Sequence, residues 1–205
     1  MVKIDKKTYV LDEFKYINDE TLKERIIIGN TYSTDMKHVI GWNKRWFGHY
    51  LKTAMFTVAV DGTIYQHFPV ECYSNIVDDP YTNKTSITIL LENEGWLKRD
   101  LFDENVFVNY IGDIYKREEL VFEKKWKNYE YWSPYTDKQF ESTVKLVRHL
   151  CETFNIQPNV MGHNTFMRDV EFFGGVIYKS NFKQCFTDVN PSWDFKLFKN
   201  KVELN

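Results

Sequence analysis

The chain has 205 residues, 43% of them hydrophobic and 27% charged, with a formal net charge of −2. That length suits one domain with a sizeable core, and that charge supplies no field to draw duplex nucleic acid or an anionic membrane. Cys72, Cys151 and Cys185 are widely spaced with no C-x-x-C pair, which points to reduced, mostly buried thiols and not to a disulfide framework or a zinc knot.

The N-terminal residues form no apolar leader, and no apolar run reaches the about 18 residues of a membrane span. The expected setting is therefore a cytoplasm. Up to about Lys23 the sequence is charged and weakly periodic, an arm or short strand. Arg25–Ile28 is the first clear strand, three isoleucines that run into Gly29-Asn30. A continuous apolar run of this kind predicts a strand buried on both faces. Asp35–Trp46 places Met36, Ile40 and Trp42 or Trp46 at helical spacing, with Gly41 as its weak point. Next, Met55–Val60 and Thr63–Phe68 predict a hairpin around Asp61-Gly62.

Ser86–Leu91 is a second continuous apolar strand, placed centrally, and it leads into Glu92-Asn93-Glu94-Gly95. Residues 96–132 are rich in charge and aromatics and form an insertion beside the core, with short strands predicted at Val106–Ile111 and Leu120–Phe122. No linker composition or repeat separates them as a domain. Asp137–Phe154 is the clearest helix. Thr136 and Gln139 carry a capping-box signature, and Phe140, Val144, Val147, Leu150, Cys151 and Phe154 make an apolar stripe. The stretch IQPNVMGHN then supplies a short strand ending at Gly162-His163. Pro191-Ser192 open a last short helix anchored by Trp193, Phe195 and Phe198. The fold class is α/β, a mixed central β-sheet flanked by helices on both faces, in a single domain with core residues 25–95 and 133–198.

Taken in order, RIIIGNT, DGTIYQ, LENEG, PYT with a Gln opening the long helix, GH and DVNP make a specific series. The chain resembles the zinc-dependent N-acetylmuramoyl-L-alanine amidases of the phage-lysozyme and peptidoglycan-recognition-protein superfamily, over about residues 25–198 less the insertion. The resemblance implies an amidase-like fold. Members hold zinc with a His at the end of the first strand, a second His in the GH turn, and a Cys or Asp just before a Pro near the C-terminus. A fourth position stays open for the attacking water. Here the GH position is His163, but the first falls on Gly29, or Asn30 one residue on, and the third on Asn190. A tyrosine of many active members falls at about Ala54, a lysine ahead of the third ligand at Asp188, and an acidic residue of the central strand at Leu90. The resemblance thus implies a degenerate zinc site. The remaining His38, His49, His67 and His149, with Asp188 and Cys185, show no spacing of an independent one.

The expectation is a catalytically inactive amidase-fold protein, phage-encoded, without a cofactor, that binds a small polar ligand in the former active-site groove. Asn30, Thr31 and Tyr32 would wall it on one side and His163, Asn164 and Asn190 on the other, with Tyr73 and Asn75 in a neighbouring loop. Amides and hydroxyls there supply donors and acceptors without charge. The ligand would be a muramyl peptide or a nucleotide-type signal, as in anti-defence sequestration. Plain structural roles are open too: Asn30 as a turn or cap, His163 as a satisfied core imidazole, Glu92 and Glu94 as a solvated strand end. Two other readings stand beside this one. One is an active, endolysin-like amidase with divergent zinc ligands. The other is a structural or partner-binding phage protein that works through Trp126, Tyr129, Tyr131 and Trp132 of the insertion.

Overall fold

The computed structural model describes residues 2–45 and 50–204. Trp46 and His49 lie outside them. Two fully buried strands, β1 (Arg25–Asn30) and β4 (Ser86–Leu91), form the centre. They pair in parallel from Arg25 opposite Ser86 to Asn30 opposite Leu91. Ile26, Ile28, Ile87, Ile89 and Leu91 are wholly buried, each worth about 1.5–3 kcal/mol of transfer free energy. This is why both runs are continuously apolar, with no alternation.

The hairpin is β2 (Phe56–Val58) and β3 (Ile64–Gln66), each shorter than the sequence predicts. Its turn forms at Asp61-Gly62, where Gly62 donates to the Ala59 carbonyl and takes a φ of +87°. The last strand of the sheet, β9 (Gly175–Tyr178), pairs in parallel with β1 and completes the order β3-β2-β4-β1-β9. All of these strands are parallel to their neighbours except β3.

β9 corrects the sequence reading. The strand expected in IQPNVMGHN contributes only a single bridge, Val160 to Val176, outside β9. Gly175 makes this crossing possible: its φ is +118°, and a Cβ there would sit 2.3 Å from the Asn159 carbonyl oxygen. Two short apolar runs compete for the edge of β1, and local pattern does not choose between them.

Helices cover both faces. Thr57 of β2 points towards α1 (Lys37–Lys44), bonding to His38, and its neighbour Phe56 shares a cavity wall with His149 and Leu150 of α3 (Asp137–Phe154). α1 begins at Lys37 and not at Asp35, because Asp35 and Met36 both take positive φ. On α3, Val144, Val147, Leu150 and Cys151 are buried, with Phe140 and Phe154 packed half-buried against the core. Thr136 accepts from the Gln139 amide at 3.0 Å, but the Gln139 side chain does not complete a capping box. It donates instead to the carbonyls of Val58 (2.8 Å) and Glu92 (3.0 Å), pinning the helix to two strand ends.

A short helix that the sequence reading omits, α2 (Pro80–Thr85), is capped by Asp79, which accepts from the Thr82 amide. The last helix, α4 (Phe195–Glu203), starts at Phe195 and not at Pro191-Ser192, because Asp194 is its cap. Among the described residues no helix is long and apolar enough to cross a membrane.

Residues 96–132 build a second, antiparallel sheet of order β6-β5-β8-β7, with β5 (Trp96–Arg99), β6 (Phe107–Val108), β7 (Phe122–Trp126) and β8 (Tyr129–Trp132). β6 is shorter than the strand expected at Val106–Ile111, and β7 begins where the expected Leu120–Phe122 ends. β7 is an exposed edge reading FEKKW, and lysines of this kind guard an edge while erasing the alternation that announces a strand.

Candidate functional site

The carboxyl ends of parallel strands are where an open α/β sheet exposes a crevice. At Gly29, one residue before the end of β1, the surroundings are too close for a side chain. A Cβ on Gly29 would lie 2.6 Å from Asp188 Oδ2, 3.1 Å from Leu90 Cδ2 and 3.2 Å from Lys179 Cδ. Asp188 is buried, and its Oδ2 accepts from the Asn30 amide at 3.1 Å and faces the Lys179 ammonium at 3.7 Å. That ammonium also lies over the Phe186 ring. Tyr32, at a φ of +53°, turns its hydroxyl to Thr187 Oγ1 (2.7 Å) and Asp188 Oδ1 (3.3 Å). Its ring packs where a Cβ on Gly95 would otherwise stand. Burial first, and then the Asp188 charge, hold the Tyr32 phenol well above its ordinary pKa.

Asn30 and Asn190, two of the four asparagines of the expected groove, sit in buried hydrogen-bond networks. Tyr135 donates to Asn30 Oδ1 at 2.7 Å and accepts from the Asn190 backbone at 3.1 Å. Asn190 Nδ2 bonds Asn93 Oδ1 and the Ser133 carbonyl, and its Oδ1 accepts from Ser192. Both asparagines are buried, and so is Ala54.

His163 is exposed, with its Nδ1 bonded to Thr165 Oγ1 at 2.8 Å, while Asn164 donates to the Val189 carbonyl. Tyr73 pairs its backbone with Ile17, and the Asn75 amide bonds the Leu51 carbonyl. Of the eight expected groove residues only Thr31 and Tyr32 reach the cleft described next. The missed partner is Lys179, because β9 takes the side of β1 that the sequence reading assigned to the strand before His163, and Asp188, noted there at the place of a family lysine, is the carboxylate that Lys179 faces. A signal existed in GGVIYK: a strand-length β-branched run that delivers Lys179 level with Gly29.

The cleft holds about 590 Å³. Its first wall is the loop Thr31–Thr34 with Lys37, His38, Trp42 and Arg45 of the α1 segment, and its second wall carries Trp96 and Tyr129 of the second sheet and Tyr110 of the turn after β6. Trp96 and Tyr129 stack at 4.5 Å, and Tyr110 meets both Tyr32 and Trp96 edge-on. Trp132, by contrast, is fully buried. A polar cavity of about 670 Å³ adjoins, sharing Thr34, Lys37, Asn109 and Asp113 with the cleft. Glu94 on its wall is buried and accepts from Asn109 at 2.8 Å. Desolvation raises its pKa, so Glu94 is not a solvated strand end, and Glu92 accepts from the amides of Met36 and Val60.

Below the first wall His38 and His67 approach to 6.4 Å between ring centroids, bridged by the Thr57 hydroxyl. Burial pushes His38 down to about 3, with His67 adding to it, and pushes His67 down to about 4. His67 is wholly buried, while His38 is half-buried on the cleft wall.

The sequence profile described as N-acetylmuramoyl-L-alanine amidase matches residues 21–175, most of the chain. This chain belongs to the N-acetylmuramoyl-L-alanine amidase family. Among solved structures it is similar to the N-acetylmuramoyl-L-alanine amidase LysC from Clostridium intestinale URNW, at 15% identity and a TM-score of 0.57 over 100% of both chains. It is also similar to a mutant endolysin from Bacillus subtilis, at 16% identity and a TM-score of 0.58 over 98% of this chain and 99% of that one. The catalytic domain of XlyA gives 15% identity and a TM-score of 0.55 over 98% and 99%. No curated protein matches the sequence. At these identities the likeness is one of fold: a mixed sheet flanked by helices.

The amidase family's zinc does not fit the described residues of this member. No group of three His, Cys, Asp or Glu is placed to hold a metal ion among them. At the end of β1 stands one carboxylate, and it is already engaged by the Asn30 amide and the Lys179 ammonium. A divalent ion beside that ammonium would meet like charge and one ligand in place of three.

Proposed function

We propose that this amidase-family chain binds a small polar ligand in the 590 Å³ cleft and does not hydrolyse it. The observation that carries this reading is the crowded end of β1, where Gly29 and Lys179 leave little space and, among the described residues, Asp188 is a single and already engaged ligand in place of the three that the family's zinc requires. The cleft is suited to holding. Its rings offer faces on which a sugar or base can stack, Lys37 and Arg45 offer positive charge, and the Thr31–Thr34 loop offers hydroxyls.

A muramyl peptide is the first ligand class, supported by relatives whose names make them N-acetylmuramoyl-L-alanine amidases. A nucleotide-type signal, sequestered in the cytoplasm of a host by a phage-encoded protein, has only the aromatic and cationic lining in its favour. The test combines metal analysis of the purified protein, a peptidoglycan-release assay and calorimetric titration with muramyl dipeptide. Binding without stoichiometric zinc and without amide cleavage supports the proposal. Stoichiometric zinc with release of the peptide stem overturns it in favour of an active amidase.

A further inference from the structure

Hydrogen bonds run in single file from the interior to the cleft. His67 Nδ1 bonds the Tyr9 carbonyl at 2.6 Å, and His67 Nε2 bonds Thr57 Oγ1 at 2.8 Å. Thr57 Oγ1 bonds His38 Nε2 at 3.0 Å, and His38 Nδ1 bonds Ser33 Oγ at 3.1 Å. Thr57 and His67 are wholly buried, while Ser33 is half-buried on the cleft wall.

One end of this file has no choice of polarity. A carbonyl only accepts, so His67 carries its proton on Nδ1 and, being neutral, has a bare Nε2. Thr57 must then donate its one proton to His67 and accept from His38 Nε2–H. Neutral His38 is left with a bare Nδ1, and Ser33 donates to it. Reversing the file would place two acceptors, His67 Nδ1 and the Tyr9 carbonyl, 2.6 Å apart. Desolvation keeps both rings neutral and so fixes this single polarity along the file.

We infer that Ser33 is the specificity-determining group of the cleft: its proton is committed inward, so its oxygen meets a ligand only as an acceptor. The ligand class admitted there carries an O–H or N–H donor at that point, and a phosphate, ester or ether oxygen in the same place faces lone pair against lone pair. This rests on the cleft being a ligand site. The hydroxyls of its two preceding neighbours, Thr31 and Tyr32, do not substitute for Ser33. Thr31 Oγ1 donates to the Ser33 carbonyl and accepts from the amides of Ser33 and Asn93. The Tyr32 hydroxyl is turned to Thr187 and Asp188.

The test has two arms. Long-range 1H–15N spectra of the wild-type protein should show opposite neutral tautomers, Nε2–H at His38 and Nδ1–H at His67. Single-ring fragments, each bearing a hydroxyl and paired with its methyl ether, are then titrated while the Ser33 and Thr34 amides are followed. The hydroxyl member should bind about tenfold tighter, the size of one hydrogen bond against an unmatched acceptor. Thr57→Val alters no exposed atom but frees His38 to protonate at Nδ1, so the preference should fall towards parity, and Thr57→Ser should keep it. Nδ1–H at His38 in the wild type, or methyl ethers that bind equally with the tautomers intact, overturns this inference alone. Failure of every fragment to bind in the cleft overturns the ligand-site reading, and this inference with it.

Discussion

Acidification from pH 7 to pH 5 should weaken this fold steeply, and the two buried imidazoles set the size of the effect. In the unfolded chain both have an ordinary pKa near 6.5 and take up protons across this window. In the folded protein His38 and His67 are held down to about 3 and about 4 by burial, so they stay neutral. The unfolded state therefore binds more protons, and stability rises with pH across the interval and falls as acid is added. Protonating one unfolded imidazole over these two pH units is worth about 2 kcal/mol, so the pair accounts for about 4 kcal/mol. That is a large share of the 5–15 kcal/mol typical of a domain.

Below about pH 4 the folded rings begin to titrate as well, and their contribution stops growing. Glu94, whose pKa burial raises, works in the opposite sense. The measurement is urea unfolding at pH 7, 6 and 5 for the wild type, His38→Gln and His67→Gln, comparing slopes with pH and not absolute stabilities. Each variant should lose about half of the wild-type dependence. A wild-type stability that is flat over this range, or variants with the wild-type slope, would refute the buried neutral pair and the single-file hydrogen bonds built on it.

Gly29→Ala forces a Cβ to within 2.6 Å of Asp188 Oδ2 and should cost about 1–3 kcal/mol in chemical denaturation; no loss would mean that the end of β1 is open. Gln139→Leu strips the Val58 and Glu92 carbonyls of their buried donor and should lower stability by about 1–3 kcal/mol, measured by thermal unfolding. Gly41 lines the cleft, and a Cβ there meets nothing among the described residues. Gly41→Phe should therefore leave the melting temperature unchanged or higher while reducing muramyl dipeptide affinity about tenfold or more, and unchanged affinity would move the ligand elsewhere. Incubation with a chelator should leave the melting temperature where it was; a fall would reveal a structural metal.

Much of the architecture was legible because its signals are local. Three consecutive isoleucines mark β1, the run SITILL marks β4, an Asp-Gly turn marks the hairpin, and a 3.6-residue stripe marks α3. The order of these pieces carried the family likeness. The capping-box pattern at Thr136 and Gln139 was legible as a pattern but not as a use, since the glutamine finds two strand carbonyls and not its own helix. β7 was hidden because an edge strand kept soluble by lysine loses its alternation.

The sequence alone determined that this protein is a mixed α/β amidase-like domain. The family resemblance puts its first ligand position at Gly29 or Asn30, and neither residue is a usual zinc ligand. What occupies that place was decided only by tertiary structure. The choice between the segments at 156–161 and 175–178 for the edge of β1 turns on a backbone crossing at Gly175 that only glycine allows. That choice brings Lys179 and Asp188, and not His163, against the strand end. The same holds for the cleft. His38, Thr57 and His67 are separated by many residues and carry no spacing motif, and the fold sets them in line from α1 through β2 to the residue after β3, because a hydrogen-bond file needs distance and direction, which sequence order does not encode.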